Sequence, residues 1–420
     1  MTTFFNLFKI PDLRKRILFT ILVLIVYRLG GHVPISGVDL NKVKSLFDQG
    51  GVLGFINLFS GGGLSRVSIF ALGIIPFINA SIIMQLLTVV WPSLKSIAEE
   101  GESGRKQISQ YTRYLSLGLA LIQAIVFSVG FKEMLLPETS FLFFSIYAIV
   151  SLVAGASLVM WLGEVISDRG IGNGASLIIF IGIIAQMPFY IKNTYLLLQA
   201  GASPIGVIFL VLILVLMIAA IVFVQEAQRN IPVQYAKKVI GRKMLAGQNT
   251  YIPLRLIQGG VLPIIFASAL LQFPLMFSKY INIPLVQSFF TKWYQYDGIL
   301  YNSLFCFLIF FFTYFYTAIT FNPNELAENI KKHGGFIVGV RPGKPTVAFL
   351  ESIITRLTLF GAMFLSLIAL IPVIAIHLTN VNSFAGLGGT ALLIIVGVAL
   401  DLVKQIETYL INHRYEGLVG

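Results

Sequence analysis

The chain has 420 residues, of which 57% are hydrophobic and 11% charged, with a formal net charge of +12 and one cysteine. Soluble globular domains carry about 25% charged residues, so this chain cannot clothe a water-facing surface, and lipid is its main solvent. The lone Cys306, in a Phe-rich apolar run, excludes an intrachain disulfide and has no cation close in sequence to activate its thiol.

The basic start, Lys9, Arg14, Lys15 and Arg16, leads into an apolar run. Ile17 to Val26 has the form of a signal-peptide core, but the run continues through Arg28 to Pro34 without a small-x-small cleavage site. It therefore predicts a first span over 17–35 rather than a removed leader. Arg28, the one ionisable residue well inside a run, falls in the outer half of that span, where its side chain can snorkel. Next comes VLGFINLFSGGGLSRVS at 52–68, apolar but too short to cross a bilayer, with Gly61-Gly62-Gly63 at its centre. Two readings stay open for it: a re-entrant half-helix protected by protein, or an interfacial segment on the outer surface.

Nine further runs approach the ~20 residues that a membrane-crossing helix needs. They lie near 70–91, 113–131, 141–163, 174–192, 204–225, 256–277, 300–321, 353–374 and 388–409. The fold class read here is an all-α integral membrane protein of about ten transmembrane helices. Pro76, Pro263, Pro274 and Pro372 fall inside runs and predict kinks. GIGNG at 170–174 lacks the Lys-Ser/Thr of a P-loop and reads as a turn opening the fifth span, with Asn173 as candidate cap. Two loops, Glu226–Leu254 and Phe321–Glu351, are basic and longer than a connection requires. They are either solvated topology loops or, the favoured reading, docking surfaces.

Lys and Arg concentrate on the cytoplasmic side of membrane proteins. With the N-terminus inside, the opposite side holds only Lys42, Lys44, Arg66, Lys132, Lys192, Lys279 and Lys292. That predicts both termini cytoplasmic and accounts for most of the net charge without nucleic-acid specificity, leaving anionic lipid as a partner of the basic loops. Ten spans divide after the fifth into halves 1–200 and 201–420. Each half has an odd number of spans, so the two are inverted relative to one another. No metalloprotease or serine-hydrolase motif is present and the four histidines are scattered, so no catalytic residue, metal or cofactor is assigned. Glu164, Glu226 and Asp401 sit near span ends, where they face water or are buried between helices. The apolar interior suits a passive pathway better than a proton relay. A passive pore, a small-solute transporter and a membrane scaffold remain the three functional classes.

Specific strings narrow the choice. SIFALGIIPFINASIIMQLL at 68–87, EGESGRKQISQYTRY at 100–114 and WLGEVISDRGIGNGASLIIF at 161–180 resemble, in order, segments of the SecY family, the bacterial protein-conducting channels. PVQYAKKVIGRKMLAGQNTYIPLRL at 232–256, FNPNELAENIKKHGGFIVGVRPGKPT at 321–346 and LGGTALLIIVGVALD at 387–401 continue the match over nearly the whole chain. The resemblance implies a non-enzymatic channel for unfolded secretory polypeptides in the bacterial plasma membrane, able to release membrane segments sideways into lipid. It implies SecE and SecG subunits, the SecA motor, the ribosome and signal sequences as partners.

By the same resemblance, Ile74, Ile78, Ile179, Ile183, Ile265 and Ile394 form a pore ring. Apolar side chains stiff at χ1 suit a dewetting constriction, although on residue type alone ordinary packing or lipid contact is the favoured reading. The segment Phe55, Ile56, Asn57, Leu58, Phe59, Ser60, Gly61, Gly62, Gly63 and Leu64 is the implied plug, with glycines to hinge on. Gln85 and Phe273 line the implied lateral gate, where Ile257 stands in place of the family's usual Asn and Gln258 lies beside it. Gln258 takes over that contact only if the helix turns. Arg229, Lys237, Lys238, Arg242, Lys243, Arg341 and Lys344 are the implied docking residues for motor or ribosome. Arg341 leads because a guanidinium pairs bidentately with carboxylate or phosphate.

Overall fold

The structure is a computed structural model. It describes residues 10–43, 57, 60–201, 203–235, 238–240, 243–245, 249–278, 294, 298–379 and 388–419, in backbone alone at 238–240, 243–245, 249, 272–273, 275–278, 376–379 and 412–419. Phe55, Ile56, Leu58, Phe59, Lys237 and Arg242 lie outside the described residues, as do the side chains of Lys238, Lys243 and Phe273.

Ten long helices coincide with the ten predicted runs, with shifted ends. Helix α1 (Pro11–Gly30) starts ahead of the predicted span because Pro11 occupies its first turn, where a missing N–H costs nothing. Helix α2 is Ile75–Val90, and Pro76 sits in its first turn, so this proline starts the helix instead of kinking it. Pro92 then opens a short amphipathic helix, α3 (Pro92–Glu99), bent by 100° from α2 and absent from the sequence reading. Helices α4 (Glu102–Gly130), α5 (Phe141–Arg169), α6 (Gly174–Gln199) and α7 (Pro204–Glu226) follow. Asn173 caps α6 as expected, its side chain accepting from the Ser176 N–H at 3.1 Å. Helix α8 is Leu262–Ser278, so it begins later than predicted. The Gly259-Gly260 pair delays it, with Gly260 at φ +56, and Pro263 sits in its first turn. Pro274 and Pro372 do lie inside helices. Helices α9 (Ile299–Thr320), α10 (Pro323–Lys332), α11 (Lys344–Thr379) and α12 (Gly389–Val419) complete the chain.

Among the described residues, seven helices are long and apolar enough to cross a membrane, or eight if bent α2–α3 is one span. Helix α7 shows the logic of the whole. Only Leu210, Met217 and Ile221 are buried, forming one stripe, while Ile205, Ile208, Leu212, Val215 and Phe223 are exposed. Such a surface is stable only against lipid. The chain is a multi-pass membrane protein.

Helix α1 packs on α5 and α6, α2 on α4, α4 on α5, and α5 on α6. Helices α5 and α6 approach closely at Gly163 and Gly174, where a Cβ on Gly174 would overlap the Gly163 carbonyl. In the second set, α7 packs on α11 and α12, α8 on α9, α9 on α11, and α11 on α12. The two sets meet along two main seams, α2 against α8 and α6 against α12. At one end of the α6–α12 seam, Gln405 accepts from the Gly172 N–H at 2.8 Å and Arg16 lies 5.5 Å over the Tyr409 ring.

The two long loops are one folded unit. Strand β1 (Gln228–Tyr235) pairs antiparallel with β4 (Asn249–Arg255), while β2 (Lys238–Ile240) and β3 (Lys243–Leu245) form a separate hairpin. On its other edge β1 pairs with β5 (Gly335–Ile337) from the second loop, in the order β4-β1-β5. Ile231 and Val233 alternate inward and bury against Leu254, Ile330, Ile337, Leu350 and Ile354. Helix α11 joins this core because its 36 residues run for about 54 Å, well beyond a bilayer's hydrocarbon.

Candidate functional site

The six isoleucines assigned to the ring come from the helices that form the two seams. Ile74 is the N-cap residue of α2 and Ile78 lies one turn along it. Ile179 and Ile183 are one turn apart on α6, Ile265 is on α8 and Ile394 on α12. All six are buried, from 0% exposed (Ile183, Ile394) to 6% (Ile78), and all belong to one hydrophobic cluster. Branched apolar side chains buried on four helices carry no polar group that would hold water or ions among them.

The glycine segment sits against that cluster. Residues 60–64 are turn rather than helix and are buried within the protein, so this part of the segment does not lie on the surface. A Cβ on Gly61 would lie 3.0 Å from the Gly182 Cα, and one on Gly62 would overlap the Gln186 side-chain amide. Gly182 and Gln186 are one turn apart on α6, interleaved with Ile179 and Ile183, so the segment rests beside the isoleucines. Gly61 and Gly62 adopt φ +63 and +83, open without strain only to glycine. Asn57 organises the turn: its carbonyl accepts from the Gly62 N–H at 2.9 Å, and its side chain accepts from the Ser65 N–H at 2.9 Å. The strand-like pairing of Ile35 N–H with the Val67 carbonyl and Ile69 N–H with the Val33 carbonyl ties the returning chain to the end of α1. Between them Val67 holds φ +50, the one non-glycine residue at positive φ among the described residues.

Arg28 does not snorkel. Its Nη1 donates to the Gly61 carbonyl at 2.6 Å, so the cation points into the protein and fastens the segment. Arg66 donates from Nη1 to His32 Nε2 at 2.9 Å, and burial lowers its guanidinium below the ordinary arginine range. The sequence signal for Arg28 was present, since an intramembrane ionisable residue marks function by default. His32, Arg66 and Gln186 carried no signal of their own, because their meeting depends on the turn at 57–68.

At the α2–α8 seam, Gln85 is partly buried and donates to Ser81 Oγ of its own helix at 3.4 Å. Ile257 and Gln258 precede α8, which corrects their placement in a helix. Ile257 is buried near Gly361 of α11, and Gln258 donates to the Arg255 carbonyl at 3.2 Å. The condition under which Gln258 could take over a cross-seam polar contact, a turn of its helix, is not met, because Gln258 precedes the helix. On the sheet unit, Arg229, Arg341 and Lys344 are exposed, and the Arg341 carbonyl is held by the Thr346 hydroxyl at 2.9 Å. Glu164 pairs with Arg113 at 2.7 Å and Glu226 with Lys404 at 2.9 Å, so these two carboxylates are structural. Among the described residues, no three His, Cys, Asp or Glu side chains gather as metal ligands would.

Comparison with known proteins agrees with this architecture. The chain is 45% identical over 433 residues to the protein translocase subunit SecY of Thermus thermophilus, covering 100% of this chain and 98% of that one. It superposes on a SecY structure described through a plug domain that stabilises the closed state of the translocation channel, with TM-score 0.66, 20% identity and 96% of each chain covered. It also superposes on Sec61 from the canine ribosome–channel complex of the endoplasmic reticulum, with TM-score 0.62, 19% identity and 96% of each chain covered. The SecY family profile matches residues 68–403, and the chain belongs to the SecY family.

Proposed function

We propose that this chain is the pore-forming subunit of a protein translocase: a passive, gated channel for unfolded polypeptides that opens across the membrane and sideways to lipid. One observation carries the reading. Isoleucines from the four seam helices share one buried cluster, and a glycine-rich segment is seated on it from α6. In this mechanism the dry isoleucine ring blocks ions at rest. The seated segment, Asn57 and Ser60 to Leu64 with its neighbours, closes one mouth. A signal sequence parts α2 from α8, the segment leaves its seat, and the isoleucines fit around the extended chain. The seam α6–α12, fastened at one end by Gln405 and by Arg16 of α1, stays closed and serves as the pivot.

Energy comes from outside the chain, since its sequence holds no nucleotide-binding motif. The sheet unit presents Arg229, Arg341 and Lys344 to a carboxylate- or phosphate-bearing partner, in this reading SecA or the ribosome. The small subunits SecE and SecG complete the complex in the bacterial plasma membrane, with both termini of this chain cytoplasmic. Proteoliposomes containing the chain with its small subunits and a motor should protect a signal-bearing polypeptide from added protease. Protection that persists without this chain, or saturable uptake of a small solute by the chain alone, would overturn the proposal.

A further inference from the structure

The corner that fastens the glycine segment contains a titratable acceptor between two cations. His32 Nδ1 lies 2.8 Å from the Arg28 carbonyl, and His32 Nε2 lies 2.9 Å from Arg66 Nη1. A carbonyl oxygen only accepts and a guanidinium only donates. The ring therefore sits as the neutral tautomer with its proton on Nδ1, and the Nε2 lone pair receives Arg66. Both guanidinia bear on the segment. Arg28 holds the Gly61 carbonyl at 2.6 Å, and Arg66 Nη2 is 3.4 Å from where a Cβ on Gly62 would sit. Tyr27 of α1, stacked on Phe70, is a buried phenol that interacts electrostatically with Arg28. Gln186 of α6 adds an uncharged amide. Helices α5 and α6, which pack against α1, bring no charged side chain into a described ion pair or hydrogen bond with Arg28, His32 or Arg66. His32 itself is exposed and open to solvent protons.

We propose that His32 is a pH-sensitive pin: when neutral it holds Arg66 and with it the glycine segment, and when protonated it lets go. The sign follows from the contacts. Protonation turns Nε2 into a donor facing a donor and sets a third cation beside Arg28 and Arg66 with no carboxylate among their described partners. The bond is therefore present at higher pH and lost as pH falls. Acidity on the side of the membrane that His32 faces lowers the barrier to unseating the segment, so channel closure responds to the outer medium. This inference rests on reading the segment as the seal of the pore.

The test is potassium efflux from proteoliposomes containing the full chain with its small subunits, at about pH 8 and about pH 5, on either side of the range where imidazoles titrate. The wild-type leak should rise on the order of threefold to tenfold on acidification, the scale of one ordinary hydrogen bond lost at a solvent-exposed site. His32→Gln, whose amide oxygen accepts from Arg66 without titrating, should stay tight at both values. A variant lacking residues 60–65 should leak at both. A wild-type leak independent of pH, or a rise in His32→Gln equal to that of the wild type, would overturn the pin while the leaky deletion keeps the seal reading intact. A deletion variant as tight as wild type would overturn the seal reading and the pin with it.

Discussion

Gly62 shows how a single missing Cβ can set a seal. Its backbone is left-handed at φ +83 and the space a side chain would need is filled by the Gln186 amide. Gly62→Ala adds both strain and overlap, on the order of 1–3 kcal/mol against the seated state. Potassium efflux from proteoliposomes should rise about tenfold for a ~1.4 kcal/mol shift of that equilibrium. Gly101 is the control, since it is left-handed at φ +78 with nothing within 4 Å of its Cβ position. Gly101→Ala should leave efflux at the wild-type level, and equal leaks in the two variants would remove Gln186 from the account. Arg28→Ala, which deprives the Gly61 carbonyl of its donor, should leak as Gly62→Ala does. Arg28 was legible as an ionisable residue inside a span, yet its direction was not. Snorkelling and inward pointing share one sequence pattern, and only the buried carbonyl of Gly61 decides between them.

At the scale of elements, apolar runs located all ten long helices because each must satisfy its backbone alone in lipid. Their ends were less legible. Ile257 and Gln258 read as part of a span by hydropathy, but the glycines after them and Pro263 move the helix start to Leu262. Asn173 was legible as a cap because the residue type and the turn before it suffice. Asn173→Ala should destabilise the protein by about 1 kcal/mol, read as a lower Tm in detergent, and an unchanged Tm would mean the cap bond contributes nothing. The sheet was not legible, since β1 pairs with β5 far along the chain and neither loop alone shows the buried face. Because the loops share one core, damage in the first should disable the second. Val233→Asp buries an unpaired carboxylate between β4 and β5. It should cut ribosome binding as far as Arg229→Glu and Arg341→Glu combined, measured by co-sedimentation. Binding that survives Val233→Asp but falls with Arg341→Glu would mean that the loops act independently.

Across the whole molecule, contact between helices α1–α6 and helices α7–α12 runs mainly through α2–α8 and α6–α12. An odd number of spans in each set makes them inverted, which topology alone could give. The assignment of ring positions could not be read from periodicity, because isoleucine in a lipid-facing helix and isoleucine at a pore look the same in sequence. Resemblance singled out those positions, and the structure buries all six in one cluster. The most direct test places a photoreactive residue at Ile78 and, separately, at Ile394, on opposite seams, and stalls a signal-bearing polypeptide during export. Crosslinks at both positions, lost when the signal sequence is removed, are the predicted result. Membranes that still export the polypeptide while neither position crosslinks would contradict the account, because the chain in transit would then bypass the isoleucine cluster.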